Sequence, residues 1–274
     1  MKKWNHRKKA VFLASFLFLL LLCIYVCGIL ISEEDIIGSF LHAKKAPDVK
    51  HYFGTDALGR DLFLRTLKGL SVSITIGVAA SVISAAVAVL IGVAAALGSK
   101  TVDGILNWII DLVMSVPHII LIILISFILG RGWKGLLVGI AATHWCGLAR
   151  LIRGEVLQLR SQSYVAISRK LGKSDGWILR NHILPHLIPQ FIVGLVLMFP
   201  HAILHEASVS FLGFGLPPEQ ATIGIILSES MRYLSVGMWW TAVLPGMTLI
   251  LMVLLIDKLG EYLRLILDPY SAQD

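Results

Sequence analysis

Imidazoles carry most of the chemistry this sequence offers. His201 and His205 stand four residues apart, so they share one face of a helix if that helix continues past Pro200. Neutral imidazole pairs at this spacing are a common arrangement for binding nickel, zinc or copper. Glu206 follows directly, and His144-Trp145 closes another apolar stretch. A purely structural role competes with metal contact. Nine histidines are scattered through the chain, and a histidine in an apolar helix often only hydrogen-bonds a neighbouring helix or sits at a lipid edge. His182 and His186 repeat the spacing, yet they bracket Pro185. Glu206 divides in the same way. It is either solvated at a helix edge or part of the lining of a cation path, because ionisable groups near a bilayer usually face a cavity.

Other chemistry is harder to assemble. Gly172-Lys173-Ser174 supplies only the tail of a phosphate-cradling G-x-x-x-x-G-K-[ST] loop, because Ile167 occupies the position of its first glycine. No strand pattern precedes it, so ATP is not expected to bind this chain. His205-Glu206 lacks the second histidine of H-E-x-x-H, and no nucleophile–base set lies in an apolar run. Cys23, Cys27 and Cys146 fall in or beside apolar runs and read as small hydrophobes, not as a disulfide or zinc set. The expectation is a chain with no catalytic residue and no cofactor of its own.

The elements that must position these groups are long and apolar. Hydrophobic residues make up 57% of the chain and charged ones 15%, far from the balance of a soluble domain. Six blocks carry no acid, Lys or Arg: Val11 to Ser32, Gly69 to Ser99, Leu112 to Gly130, Gly135 to Ala149, Ile183 to Leu204 and Val236 to Ile256. Most reach the ~20 residues a helix needs to cross the hydrocarbon layer. The fourth does so only by taking in residues near Arg131 or Arg150. An all-α, polytopic membrane protein of about six spanning helices follows. The first block is too long for a signal-peptide core, and no small-x-small site precedes Glu33, so it reads as a retained helix.

Charge orients these spans. With both termini cytoplasmic, fifteen of the 24 Lys and Arg residues lie inside, including Lys2, Lys3, Arg7, Lys8 and Lys9 beside the first span. That is the bias the positive-inside rule requires, with anionic lipid as the partner and no role for nucleic acid. An ion-driven carrier would need acids buried mid-span, and these spans lack them. Asp111, at the start of the third block, is expected at headgroup level or as partner to a basic side chain.

One domain covers residues 1–274. Its non-spanning pieces are outer loops at 33–68 and 205–235 and a cytoplasmic segment at 150–185. Arg150 to Leu171 has apolar residues at helical spacing (Val156, Leu159, Val165, Leu171) between basic ones. Gly172 ends it as a C′ glycine, and Ser174 or Asp175 can cap a second short helix reaching Pro185, where the next span begins. Such a helix–Gly–helix elbow beneath a membrane is either a docking shape or an ordinary solvated loop.

Tyr164 to Gly172, followed by His182-Ile183-Leu184-Pro185, resembles the cytoplasmic "EAA" loop of bacterial ABC importer permeases. Gly172 and Leu184-Pro185 keep the family distances. Ala166 stands for the leading Glu, Ile167 and Ser168 for the two alanines, and His182 for the first Ile. Phe53 to Asp61 looks like the G-T-D-x-x-G-R-D motif of the second permease in the dipeptide/oligopeptide/nickel class. Ser208 to Gly215 is similar to its S-F-L-G-L-G motif, and Leu259 to Arg264 with Leu267-Asp268-Pro269 resemble its ending. His201-Ala202-Ile203-Leu204-His205 and His144-Trp145 resemble nickel-type members.

The resemblance implies a type I ABC importer permease in the bacterial plasma (inner) membrane. It implies a sister permease, two cytoplasmic ATPases that carry ATP-Mg, and an extracytoplasmic solute-binding protein. Coupling to the ATPases falls to Tyr164, Ala166, Ser168, Leu171, Gly172, Asp175 and Pro185, and the translocation path to His201, His205 and Glu206. Nickel or a nickel chelate is the expected cargo, with dipeptide or oligopeptide import by the same architecture as the alternative.

Overall fold

The computed structural model describes residues 6–267. Lys2, Lys3 and the Asp268-Pro269 part of the terminal motif lie outside them. The described chain is almost wholly helical, in the order α1 (His6–Leu30), α2 (Leu62–Leu97), α3 (Lys100–Ser115), α4 (His118–Ile128), α5 (Trp133–Arg160), α6 (Ser163–Lys170), α7 (Asp175–Ile178), α8 (Leu184–Phe211), α9 (Ile223–Leu234) and α10 (Trp240–Leu267). A single π turn, Leu179–Ile183, joins α7 to α8.

α2 is the centre of the bundle, and its sequence explains why. At 36 residues it extends for about 54 Å. Its N-terminus is capped by Asp61, whose carboxylate accepts from the N–H groups of Phe63 (2.9 Å) and Leu64 (3.1 Å). Small residues (Gly69, Ser73, Gly77, Ala80, Ser84, Ala88, Gly92, Ala96) make up much of its buried face. They let α5 and α8 approach closely, which is how helices associate where water gives no hydrophobic drive. At Gly92 a Cβ would sit 2.6 Å from the carbonyl oxygen of Ala149 on α5.

Five helices, counting α7 and α8 as one continuous run, are long and apolar enough to span a membrane. The sixth expected span is not straight. The block from Leu112 to Gly130 takes in only the last residues of α3 and the whole of α4, and these two helices meet at a 93° bend. Pro117 lacks the N–H that a continuing helix needs and pushes Val116 into the extended region (φ −100°, ψ 135°). Arg153 holds α3 to α5 by a two-pronged pair with Asp103 (2.6 Å for each bond), and Arg150 reaches Asp111 at 2.5 Å. Asp111 is thus the partner of a basic side chain.

Three expected boundaries are corrected. The helix expected over Arg150 to Leu171 is two helices: α5 continues to Arg160, and extended Gln162 separates it from α6. The stretch 205–235, expected as an outer loop, is largely helical, because α8 persists to Phe211 and α9 fills 223–234. The outer loop expected to reach 68 ends at Asp61, the cap of α2.

Candidate functional site: an elbow and a histidine cluster

The elbow is built by two local rules. α6 ends in a Schellman turn: Lys173 N–H donates to the Ser168 carbonyl and Gly172 N–H to that of Arg169, both at 3.1 Å. This turn requires Gly172 at φ +80°, a region costly for residues with a Cβ. The Ser174 hydroxyl then accepts from Trp177 N–H (3.3 Å) and starts α7. Pro185 cannot donate to the helix ladder, and the π turn just before it absorbs the mismatch without ending the run into α8.

Side chains cross the corner. Ser168 Oγ lies 3.0 Å from His182 Nε2, Arg169 pairs with Asp175 at 2.9 Å, and the Tyr164 ring lies 5.3 Å from His182 and 6.4 Å from His186. Val165, Ile178 and Ile183 are buried in the same apolar cluster as Ile152 and Val156 of α5, so the elbow is rooted in the bundle. Its outward side leaves Leu171 74% and Ile167 57% exposed, with Tyr164, Ala166, Gly172, Asp175 and Pro185 also exposed. The corner therefore presents an apolar knob beside the exposed basic residues Arg169 and Lys170. Six of the seven expected coupling residues are exposed, and Ser168 is half-buried.

The histidines come together from three helices. The ring of His205 (α8) lies 4.9 Å from His144 (α5) and 6.3 Å from His118 (α4), and His118 lies 5.6 Å from His144. His201, one turn back on α8, is exposed but within electrostatic range of His144 and His205. His144 is eleven residues into α5, about 16 Å along the helix axis from Trp133. Among the described residues, no three His, Cys, Asp or Glu groups are placed as they stand to hold a metal ion.

Glu206 is not part of this cluster. It is fully buried, and its oxygens accept hydrogen bonds from Ser73 of α2 and Ser210 of α8. Sequence reasoning missed His118, although Pro117 inside an otherwise uninterrupted apolar block was a legible sign of a broken helix.

It also missed an ion network at the opposite end of the bundle from the elbow. Asp56 pairs with Arg60 (2.6 Å) and Arg65 (2.8 Å), and Glu229 of α9 pairs with the same two arginines at 2.9 and 2.8 Å. Arg65 is only 2% exposed. The 53–61 motif thus clamps α9 to α2, beside a cavity of about 630 Å³ that these residues line.

The fold is a bundle of apolar helices long enough to span a membrane, with one broken pair and a rooted corner, and comparison with known proteins gives its class. Residues 88–269 match the family of binding-protein-dependent transport system inner membrane components. The chain is 32% identical over 269 residues to the dipeptide transport system permease protein DppC of Bacillus subtilis (strain 168), covering 97% of this chain and 84% of that one. It is 39% identical over 223 residues to a putative peptide transport system permease protein of Brucella suis biovar 1, covering 81% and 75%. In fold it is similar to a chain of the MetNI methionine ABC transporter in an inward-facing conformation, with a TM-score of 0.63, 17% identity and coverage of 76% and 98%. The chain belongs to the binding-protein-dependent transport system inner membrane component family: it is a multi-pass permease subunit of an ABC importer.

Proposed function

We propose that this permease, paired with a sister permease, forms the path of an ATP-driven importer for short peptides. The sequence motifs favour nickel. The relatives reported above are named for dipeptide or peptide transport, and they support the peptide reading better. In this reading both termini are cytoplasmic. An extracytoplasmic binding protein delivers cargo at the end clamped by Asp56, Arg65 and Glu229, and two ATPase subunits carrying ATP-Mg dock on the elbow.

The observation that carries the coupling role is the exposed apolar corner of Tyr164, Ile167 and Leu171, locked by Gly172 and rooted through Val165 and Ile178. ATPase closure moves this corner, and the unbroken run from α7 through Pro185 into α8 carries the movement to His201 and His205. The corner can bias the permease between inward- and outward-open states only by contacting the ATPases differently in each. Ala166 removes the usual acid, so docking here rests on apolar contact and on Arg169 and Lys170, which are exposed beside the knob.

The test is reconstitution of the full complex with its binding protein in vesicles, measuring uptake of a labelled dipeptide and of radioactive nickel side by side. Dipeptide accumulation that requires ATP supports the reading. Nickel accumulation with no dipeptide uptake overturns the cargo. Dipeptide uptake that persists when Gly172→Val disrupts the elbow overturns the coupling role.

A further inference from the structure

Independently of the cargo reading, we propose that His118, His144 and His205, with His201 beside them, form a binding site for a divalent first-row transition-metal ion such as Ni²⁺, Cu²⁺ or Zn²⁺. Spacing is the first argument. A metal held by two imidazoles at about 2.1 Å keeps their ring centres about 4.5–6.4 Å apart, depending on the angle between the bonds. The three separations here, 4.9, 5.6 and 6.3 Å, all fall in that range. The rings therefore already occupy the positions of a three-imidazole set, although their nitrogens do not yet converge. Rotation about the soft terminal χ2 torsions of His118 and His205 moves their nitrogens with little movement of the ring centres, while His144 keeps its bond to Ile140.

The donor atoms are the second argument. His144 Nδ1 lies 3.0 Å from the Ile140 carbonyl, which can only accept, so Nδ1 carries the proton. Neutral His144 then keeps its lone pair on Nε2. An Nδ1–H held by a backbone carbonyl is the arrangement that orients a metal-binding imidazole. His118 Nδ1 is buried with no hydrogen-bond partner. Such an orphan costs desolvation free energy and calls for an explanation, which a bound ion supplies.

Chemistry then selects the class of ion. No carboxylate joins the set, because the oxygens of Glu206 are taken by Ser73 and Ser210. Magnesium and calcium take oxygen ligands, whereas imidazole suits nickel, copper and zinc. Position agrees with a role in passage. His118 is the first residue after the break at Pro117, and discontinuous helices are where membrane transporters place ion and substrate sites. The alternative is three neutral rings packed edge to face for structure alone, which would bind no metal.

The experiment uses the complete importer in nanodiscs, with Co²⁺ as a spectroscopic probe and Ni²⁺ in equilibrium dialysis. The expected result is a site with the visible absorption of nitrogen-ligated Co²⁺ and stoichiometric Ni²⁺. H118A, H144A and H205A should each weaken binding tenfold or more. His42→Ala, on the outer loop, should leave the affinity unaltered. Glutamine variants H118Q, H144Q and H205Q keep the rings' approximate bulk and polarity, and they replace any alanine variant that does not fold. No stoichiometric metal in the wild type, or binding undiminished in all three positions, overturns the site. Dipeptide-stimulated ATP hydrolysis is recorded on the same wild-type sample. Hydrolysis without metal binding sinks this site alone, and metal binding without a dipeptide response sinks the peptide reading alone.

Discussion

The two ends of the bundle are finished by the same turn and different chemistry. At the elbow, α6 closes in a Schellman turn on Gly172; at the other end, α8 closes in one on Gly213, with Phe214 N–H donating to the Val209 carbonyl at 3.0 Å. Around Gly213 the structure is clamped. Arg65, almost fully buried, bridges Asp56 and Glu229, and Arg131 lies over the rings of Phe127 and Phe214 at 5.7 and 5.4 Å. Around Gly172 the acid–base pair Arg169–Asp175 is 46% and 73% exposed, and Ile167 and Leu171 are exposed. One end uses its charges internally to hold helices together, and the other leaves its apolar side chains exposed. The same backbone device therefore sits in a clamped setting at one end and in an exposed one at the other.

The sharpest way to break this contrast is at Arg65. Removing one member of a buried ion set leaves the others uncompensated, at a cost of about 3–5 kcal/mol. Arg65→Ala should therefore lower the thermal stability of the detergent-purified complex well below that of any elbow variant. An unchanged melting temperature would show that the network clamps nothing.

Gly172→Val is the matching test at the elbow, with a smaller effect on stability and a larger one on coupling. A Cβ at Gly172 meets nothing within 4 Å, so the damage comes only from the left-handed backbone, about 1–2 kcal/mol. ATP hydrolysis should lose its dependence on loaded binding protein while the complex still assembles. Gly172→Asn, which tolerates positive φ, should retain most of the coupling. Equal damage from both variants would mean that the turn geometry is not what matters.

Arg169→Ala marks the bottom of the scale, because an exposed pair contributes well under about 1 kcal/mol. Its melting temperature should be indistinguishable from the wild type. A shift as large as that of Arg65→Ala would erase the distinction between the two ends. Orientation has a direct readout. With Cys23, Cys27 and Cys146 replaced by serine, a cysteine at Gln162 should react with an impermeant thiol reagent only from the cytoplasmic side, and one at Lys45 only from outside. The reverse pattern would exchange the two ends.

Much of this architecture is written in one dimension. The length of a charge-free block is set by the thickness of the hydrocarbon layer, so five spans could be counted without knowing any contact between them. The elbow was equally legible, because Gly172, Ser174 and Pro185 act on backbone dihedrals within a few residues of themselves. What the chain does at a distance was not legible. The third block counts as one span by hydropathy, yet the chain bends through 93° at Pro117, and packing against α5 and α8 decides where α4 goes. His118 and His205 are separated by 87 residues in sequence, and Arg65 and Glu229 by 164. Composition alone could point to His201 and His205, since helical periodicity relates residues four apart. It could not bring His118 and His144 to them, or draw Glu206 away towards Ser73. Those choices belong to the tertiary structure, because they depend on which faces of α2, α4, α5 and α8 fit closely enough to exclude lipid.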